Sequence, residues 1–132
     1  MINLTELKPG NWVLVKNEDT WMEGVVLHVN RDDGGQIEIE TGVQKAWYEM
    51  EEVSALPLSE DYLLKMGFER EVMPDTGNVK YKHGAFRVLV GPTKRFTDFL
   101  MWYREEKSHI TYPMTVHQFQ NRYEAMCKVP IG

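Results

Sequence analysis

The last quarter of the sequence holds the densest group of side chains that could do chemistry. Amides, an imidazole and a guanidinium share one short stretch: His117, Gln118, Gln120, Asn121 and Arg122. In a helix, His117 and Asn121 lie one turn apart on the same face, where they could converge on a ligand together with Arg122. The alternative is that these groups bond neighbouring backbone and hold the helix on a sheet, as most buried polar side chains do.

Histidine is also a residue type of catalysis and of metal binding. An enzyme acting on a nucleotide or nucleic acid could use His109 or His117 as general base, with Arg104 or Arg122 holding phosphate. No two histidines have a metal-ligand spacing and no cysteine or carboxylate cluster joins them, so we expect no metal and no cofactor. Cys127 falls at the end of a predicted helix, where the dipole raises a thiol pKa and leaves the thiol inert.

Two groups of aromatic residues are candidates for binding. Trp21, Trp47 and Tyr48 stand in predicted strands, where exposed rings bind a peptide, a methylated side chain or a base and buried rings form a core. A second group combines rings with cations, which suits a nucleotide or a single strand unless the cations form a solvated rim over a core aromatic. Its members are Lys94, Arg95, Trp102, Tyr103, Arg104 and Lys107.

The middle of the sequence predicts a short helix between two β-rich parts. Ser59 is a good N-cap, and Glu60 and Asp61 follow in the first turn, where the helix dipole favours negative charge. Gly67 can take the left-handed conformation that ends a helix, and Phe68 then packs back onto the apolar side. Both ends of this helix are therefore predicted from local sequence.

Residues 1–57 contain about five short β-rich runs separated by turns. Ile37 and Ile39 alternate with acids, which predicts a strand with one apolar face. A turn is predicted at Asp32-Asp33, and Gly24 indicates a bulge or bend within a strand. We expect an acidic lobe here, with an SH3-like small β-barrel or a bent sheet.

Residues 58–132 are expected to form a second lobe, packed with the first as one compact unit. A hairpin turns at His83-Gly84. Residues 98–104 fit either a strand or a helical face, and their short length and aromatic content favour a strand. Thr115 and Gln118 form a capping box at the start of a closing amphipathic helix. The predicted fold class is α+β, with a β-hairpin lobe closed by this helix.

Charge is divided between the two halves of the chain. The net charge is −5, but residues 1–61 hold 4 Lys/Arg against 13 Asp/Glu, and residues 62–132 hold 11 against 7. The acidic half repels phosphate, which argues against general nucleic-acid binding, whereas the basic half could accept an anionic ligand. A single cysteine, no membrane-length apolar segment and no signal peptide lead us to expect a soluble protein of the bacterial cytoplasm.

Three blocks together resemble a family of small uncharacterised proteins common in Bacteroidetes genomes, prophages and gut phages. That family has a Leu-x-x-Gly-Asn start, a Pro-Leu-Thr-Glu-x-Trp-Leu-Leu-x-Phe-Gly-Phe centre and a His-Gln-Leu-Gln-Asn-x-Tyr end. The corresponding segments are 7–13, 56–69 and 116–123. Tyr62 stands where the family has Trp and Phe119 where it has Leu, and the segment from Glu124 to Lys128 departs from the family's aromatic-Ala-Leu-Thr-Gly continuation.

The resemblance implies a phage or mobile-element setting and carries no activity with it. We therefore expect a non-catalytic binding module, a candidate for counter-defence, that binds a host protein or sequesters a small nucleotide-like anion. Two alternatives stay open: the enzyme with a histidine base, and a structural protein that self-assembles through its oppositely charged lobes.

Overall fold

The protein consists of two antiparallel five-stranded sheets and two α-helices, and the computed structural model describes residues 2–32 and 34–132. The turn predicted at Asp32-Asp33 lies partly outside these residues, because Asp33 is not among them. The structure is mostly β with two helices, which is compatible with the predicted α+β class. No helix of the described residues is long and apolar enough to cross a membrane.

The first sheet is a curled half-barrel. Its strands are β1 (Trp12–Asn17), β2 (Thr20–Asn30), β3 (Gln36–Glu40), β4 (Lys45–Glu49) and β5 (Val53–Ser54), and their order is β4-β3-β2-β1-β5. Two short 3-10 helices, Leu4–Glu6 and Met50–Glu52, flank it. β4 and β5 are its two edges.

The middle helix, α1 (Glu60–Lys65), begins and ends where the sequence predicts. Gly67 has φ +97°, and the backbone N–H of Phe68 donates to the carbonyl of Leu63 at 3.0 Å, which is the bond that closes a helix at a left-handed glycine. Ser59 has the extended backbone of an N-cap, but its side chain makes no capping bond.

The second sheet follows directly. Its strands are β6 (Glu69–Val72), β7 (Val79–His83), β8 (Phe86–Val90), β9 (Phe99–Tyr103) and β10 (Glu106–Ile110), in the order β10-β9-β8-β7-β6. The ambiguous segment 98–104 thus contains a strand. The closing helix, α2 (Val116–Cys127), has the predicted capping box between Thr115 and Gln118.

Each sheet has its own apolar core, because side chains alternate between the two faces of a strand. Seven strand residues fill the first core together with Ile2 and Leu7: Val13, Val15, Val26, Ile37, Ile39, Tyr48 and Val53. In the second core, Tyr81, Phe86, Val88 and Met101 of the sheet meet Val116, Phe119, Tyr123 and Met126 of α2. The opposite face of the second sheet points away from these cores, whereas Trp12 and Leu14, on the opposite face of the first sheet, pack against the second core.

Candidate functional site

The outer face of the first sheet carries an unusual combination of tryptophans and carboxylates. Strand register places Trp12 opposite Val25, and Val25 opposite Glu40. Because directly paired residues point to the same side, all three lie on the outer face. We call six residues of this side the acidic face: Trp21, Glu23, Val25, Glu38, Glu40 and Trp47. Two lysines lie on the same side, Lys16 opposite Trp21 and Lys45 opposite Glu40.

A groove of about 400 Å³ runs between the acidic face and the end of α1. We call it the Trp12 groove, and it is lined by Trp12, Glu23, Gly24, Val25, Glu40, Thr41, Gly42 and Lys65. Its lining offers an indole and a valine as apolar surface, with carboxylates at Glu23 and Glu40. An amphipathic cation, with an apolar stem and a charged end, matches this lining.

The Trp12 groove already holds one cation of the chain itself. Nζ of Lys65 lies 3.7 Å from Oε2 of Glu23 and 5.1 Å from the ring centroid of Tyr62. The Tyr62 hydroxyl donates to Oε1 of Glu23 at 2.5 Å. Burial, this bond and the nearby carboxylates raise the pKa of Tyr62 to about 12, so its hydroxyl stays a donor at neutral pH. Glu40 forms no ion pair within residues 2–32 and 34–132.

Gly24 explains how the strands form this groove. A Cβ at position 24 would lie 2.5 Å from Cγ2 of Ile39 and 3.2 Å from the carbonyl oxygen of Glu40. Glycine therefore allows β2 and β3 to come this close, and the register of the two strands shifts further along, between Val26 and His28.

The first predicted aromatic group is divided between the two sides of this sheet. Trp21 and Trp47 lie on the acidic face, 46% and 48% exposed, whereas Tyr48 points into the core and is 5% exposed. Trp47 on β4 is paired with Glu38 on β3, and Glu38 is paired with His28 on β2. His28 lies seven residues after Trp21 along β2. Seven residues of strand span about 23 Å, so the two indoles do not form a single cage.

The second predicted group, of rings and cations, is also divided. Trp102 points to the outer face of its sheet, with Nζ of Lys107 at 5.6 Å from the ring centroid. Tyr103 packs against the second core, and Arg104, in the turn that follows, lies 5.0 Å from the Tyr103 ring.

Lys94 and Arg95 lie at the opposite end of β9, in the loop before it. Nζ of Lys94 is 3.3 Å from Oε2 of Glu60, and Arg95 is exposed. These two cations therefore do not share a site with Trp102.

The polar stretch of α2 is bonded to the first lobe. Oδ1 of Asn121 accepts from the side chain of Asn11 at 3.0 Å, and its Nδ2 donates to the carbonyl of Glu6 at 2.5 Å. Gln118 donates to the Glu6 carboxylate at 3.1 Å. Arg122 is exposed and donates to Oγ of Ser108 at 2.9 Å. Both ends of the Asn121 amide are therefore used in holding the lobes together.

His117 is buried beside these residues, 1% exposed. Its Nδ1 lies 3.1 Å from Oγ1 of Thr115, and its Nε2 has no hydrogen-bond partner among the described residues. Burial lowers the pKa of His117 below 6.5, and the charge of Glu6 opposes this only in part. Thr115 is the N-cap of α2 and accepts from the N–H of Gln118, so this hydroxyl serves the helix.

His109 lies on the opposite side of the second lobe. Its Nε2 is 2.7 Å from Oδ1 of Asp98, and both side chains are more than half exposed. Burial raises the pKa of the Cys127 thiol, which keeps it protonated at neutral pH. No group of three or more His, Cys, Asp or Glu within residues 2–32 and 34–132 is arranged to hold a metal.

Sequence reasoning missed two sets of residues that the fold assembles. The first is the lining of the Trp12 groove, where α1 meets β1, β2 and β3. The second, which we call the basic face, is the outer side of the second sheet: Lys80, Lys82, Arg87, Leu89, Leu100, Trp102, Lys107 and His109. Sequence reasoning named the last three of these residues but did not place them together or with the other five. In the sequence, Lys80 and Lys82 alternate with the apolar residues Val79 and Tyr81, which are buried in the fold. This alternation could have indicated that the two lysines lie together on the outer face of the sheet.

Comparison of the chain with protein-family models, with curated proteins and with solved structures gives no significant match.

Proposed function

We propose that the protein is a non-catalytic binding module in which the Trp12 groove takes a lysine or arginine side chain of a protein partner. The observation that carries the proposal is the pairing of an apolar floor, Trp12 and Val25, with the carboxylates of Glu23 and Glu40 in one groove. A long cationic side chain would lay its methylenes on the floor and bring its charge to Glu40.

The internal contact of Lys65 supports this choice of occupant. An ammonium group already rests between a carboxylate, Glu23, and an aromatic ring, Tyr62. Glu40 across the groove has no such partner among the described residues. Lys45 is the cross-strand neighbour of Glu40 but forms no ion pair with it among the described residues. A second cation would therefore find a carboxylate without an ion pair beside an exposed valine, which is 38% accessible.

The arrangement of histidines favours binding over catalysis. A histidine base needs a substrate within hydrogen-bond reach and a group that orients it. His117 is buried against the N-cap of α2, and His109 forms an exposed pair with Asp98. His117 does line a pocket of about 220 Å³ together with Thr115, but the Thr115 hydroxyl that it meets is engaged in capping α2.

The partner that we propose is a basic segment of a host protein, and the setting is a phage or mobile element. The setting depends on the resemblance of the three sequence blocks, and the basic segment on the charge of the groove. In this proposal the curled first sheet acts as an SH3-like platform, and α2 closes the second lobe and fixes the first against it.

Selection of a random peptide library on the immobilised protein tests the proposal. We expect enrichment of peptides that place Lys or Arg beside apolar residues. Glu40→Lys should weaken the selected peptides at least about tenfold, a loss of about 1.4 kcal/mol. Glu51→Lys changes the same charge outside the groove and should leave affinity unchanged. Enrichment of acidic peptides, or equal loss in the two variants, would contradict the proposal.

A further inference from the structure

The basic face is organised in two rows that run across the strands. In one row Lys82 pairs with Arg87, Arg87 with Trp102, and Trp102 with Lys107. In the next row the paired residues are Lys80, Leu89, Leu100 and His109. Adjacent strands lie about 4.8 Å apart, so each row is about 14 Å long. The Trp102 indole therefore lies between Arg87 and Lys107 in the first row. The second row, beside it, has Leu89 and Leu100 at its centre.

The apolar residues of this face are not part of either core. Leu89, Leu100 and Trp102 are partly exposed, and none of them packs against the two apolar cores of the described residues. Leu89 and Leu100 are direct cross-strand partners, and Trp102 lies two residues further along β9. The face thus presents a continuous apolar strip at the centre of the sheet.

The charges around this strip are mainly positive. Lys80, Lys82, Arg87 and Lys107 outnumber three carboxylates: Glu69 and Glu71, which lie on β6 at the edge of the sheet, and Asp98, which pairs with His109. Lys82 is 3.5 Å from Glu71 and is therefore compensated. Within residues 2–32 and 34–132, Lys80 and Lys107 form no ion pair.

Arg87 is held in place by the hairpin that precedes its strand. Its Nη1 donates to the carbonyl oxygens of Gly84 at 2.6 Å and Phe86 at 2.9 Å. Both bonds use one nitrogen, so the other guanidinium nitrogens remain available for a ligand among the described contacts. A fixed guanidinium loses less freedom on binding than a mobile one.

We propose that the basic face binds single-stranded nucleic acid. One base stacks on Trp102, a neighbouring base rests on Leu89 and Leu100, and phosphates are held by Lys80, Arg87 and Lys107. A single strand exposes the base faces that an indole can stack on, whereas a duplex hides them. The acidic first lobe repels a long polyanion, so the site is suited to a short strand that crosses one sheet.

The test is fluorescence anisotropy of a labelled oligothymidylate titrated with the full chain. Neutralising about three phosphates of a single strand gives a salt slope of about −2, so affinity should fall about twentyfold between about 50 and about 200 mM salt. Trp102→Ala should weaken binding about tenfold through lost stacking. Trp47→Ala removes an exposed tryptophan from the acidic face and should change nothing.

Two further variants keep the test decisive if Trp102→Ala impairs folding. Trp102→Phe retains a stacking ring and should bind the strand nearly as well as the wild type, whereas Lys80→Gln should reduce the salt slope by about 0.7. A duplex of the same length as the oligothymidylate should bind more weakly than the single strand. These readouts concern a face separate from the Trp12 groove, so they stand or fall independently of the peptide selection.

Three outcomes would overturn the inference. One is the absence of an anisotropy change with folded wild-type protein at low salt. Another is equal affinity of Trp102→Ala and Trp47→Ala. The third is salt-sensitive self-association of the chain, lost in Lys80→Gln, without oligonucleotide binding, since the basic face would then contact the acidic face of a second copy.

Discussion

The backbone N–H of Trp12 donates to Oε1 of Gln120 at 2.8 Å, joining residues 108 positions apart in the chain. Nε2 of the same amide donates to the carbonyl oxygens of Gly10 at 3.2 Å and Ile131 at 3.0 Å. Gln120 is 3% exposed, so these bonds are made away from solvent. One side chain of α2 therefore fixes the start of β1, where Trp12 forms part of the proposed binding groove.

Replacing Gln120 should destabilise the protein more than replacing a surface glutamine. Gln120→Ala leaves the Trp12 N–H and the Gly10 carbonyl without this partner, and we expect a loss of about 2–3 kcal/mol in the free energy of unfolding. Gln36 bonds Glu49 at the surface, and Gln36→Ala should cost less than about 0.5 kcal/mol. Urea denaturation measures both; equal losses would refute the role of Gln120.

His117 should make the protein less stable in mild acid. Its pKa is lowered in the fold by burial, so its contribution to stability is complete above the unfolded pKa of about 6.5 and is lost as pH falls towards the folded pKa. The loss is at most about 1.4 kcal/mol per pH unit. His117→Gln should flatten the dependence of unfolding free energy on pH below about 6.5. If the variant keeps the wild-type slope, another group is responsible.

Glu60 and Tyr81 should form a stabilising pair that is lost at a lower pH than the contribution of His117. The buried Tyr81 hydroxyl donates to Oε1 of Glu60 at 2.8 Å, and Arg70 and Lys94 lie 3.3 Å from the same carboxylate. Burial raises the pKa of Glu60, but bonds from Tyr81, Arg70 and Lys94 outweigh it and lower the pKa below 4.5.

Because the folded pKa of Glu60 is lowered, its contribution is present above about pH 4.5 and is lost as pH falls through the folded pKa. Tyr81→Phe should cost about 2 kcal/mol at pH 7, since the lost bond reaches a charged group. The cost should shrink in strong acid. Tyr112 is exposed, and Tyr112→Phe should cost close to nothing at either pH. A cost for Tyr81→Phe that is the same at pH 7 and in strong acid would contradict this pairing.

Gly67 should be intolerant of a side chain for conformational reasons. Its φ of +97° is disfavoured for L-residues, while a Cβ would meet only His83 at an ordinary 3.5 Å. Gly67→Ala should therefore destabilise the protein by about 1–2 kcal/mol. Gly91 lacks a positive φ and has open space around its Cβ position, so Gly91→Ala is the matched control. Thermal unfolding that ranks the two variants equally would contradict the helix-ending role.

Local signals were enough to predict both helices. Ser59 and Gly67 mark the ends of α1, and the Thr115 and Gln118 capping box begins α2, because these signals act within a few residues. β6 has no such signal. All four residues of Glu69–Val72 are exposed, so the strand lacks the apolar alternation by which strands are predicted.

The site residues depend on register and packing, which the sequence does not display. Trp12 and Lys65 share a groove because α1 packs beside β1 and β2. On the second sheet, Trp102 and Arg87 meet through strand pairing, while Lys94 is drawn to Glu60 at the other end of β9. The candidate residue types were thus visible in the sequence, but their grouping was not.

The four tryptophans of the chain report separately on its surfaces: Trp12 on the groove, Trp21 and Trp47 on the acidic face, and Trp102 on the basic face. The most direct measurement is therefore a two-dimensional nitrogen–proton NMR spectrum of the indole N–H groups during titration with a selected basic peptide. We predict that the Trp12 signal moves to saturation while the Trp102 signal stays in place. A Trp12 signal that does not move while the peptide saturates the protein would contradict the account.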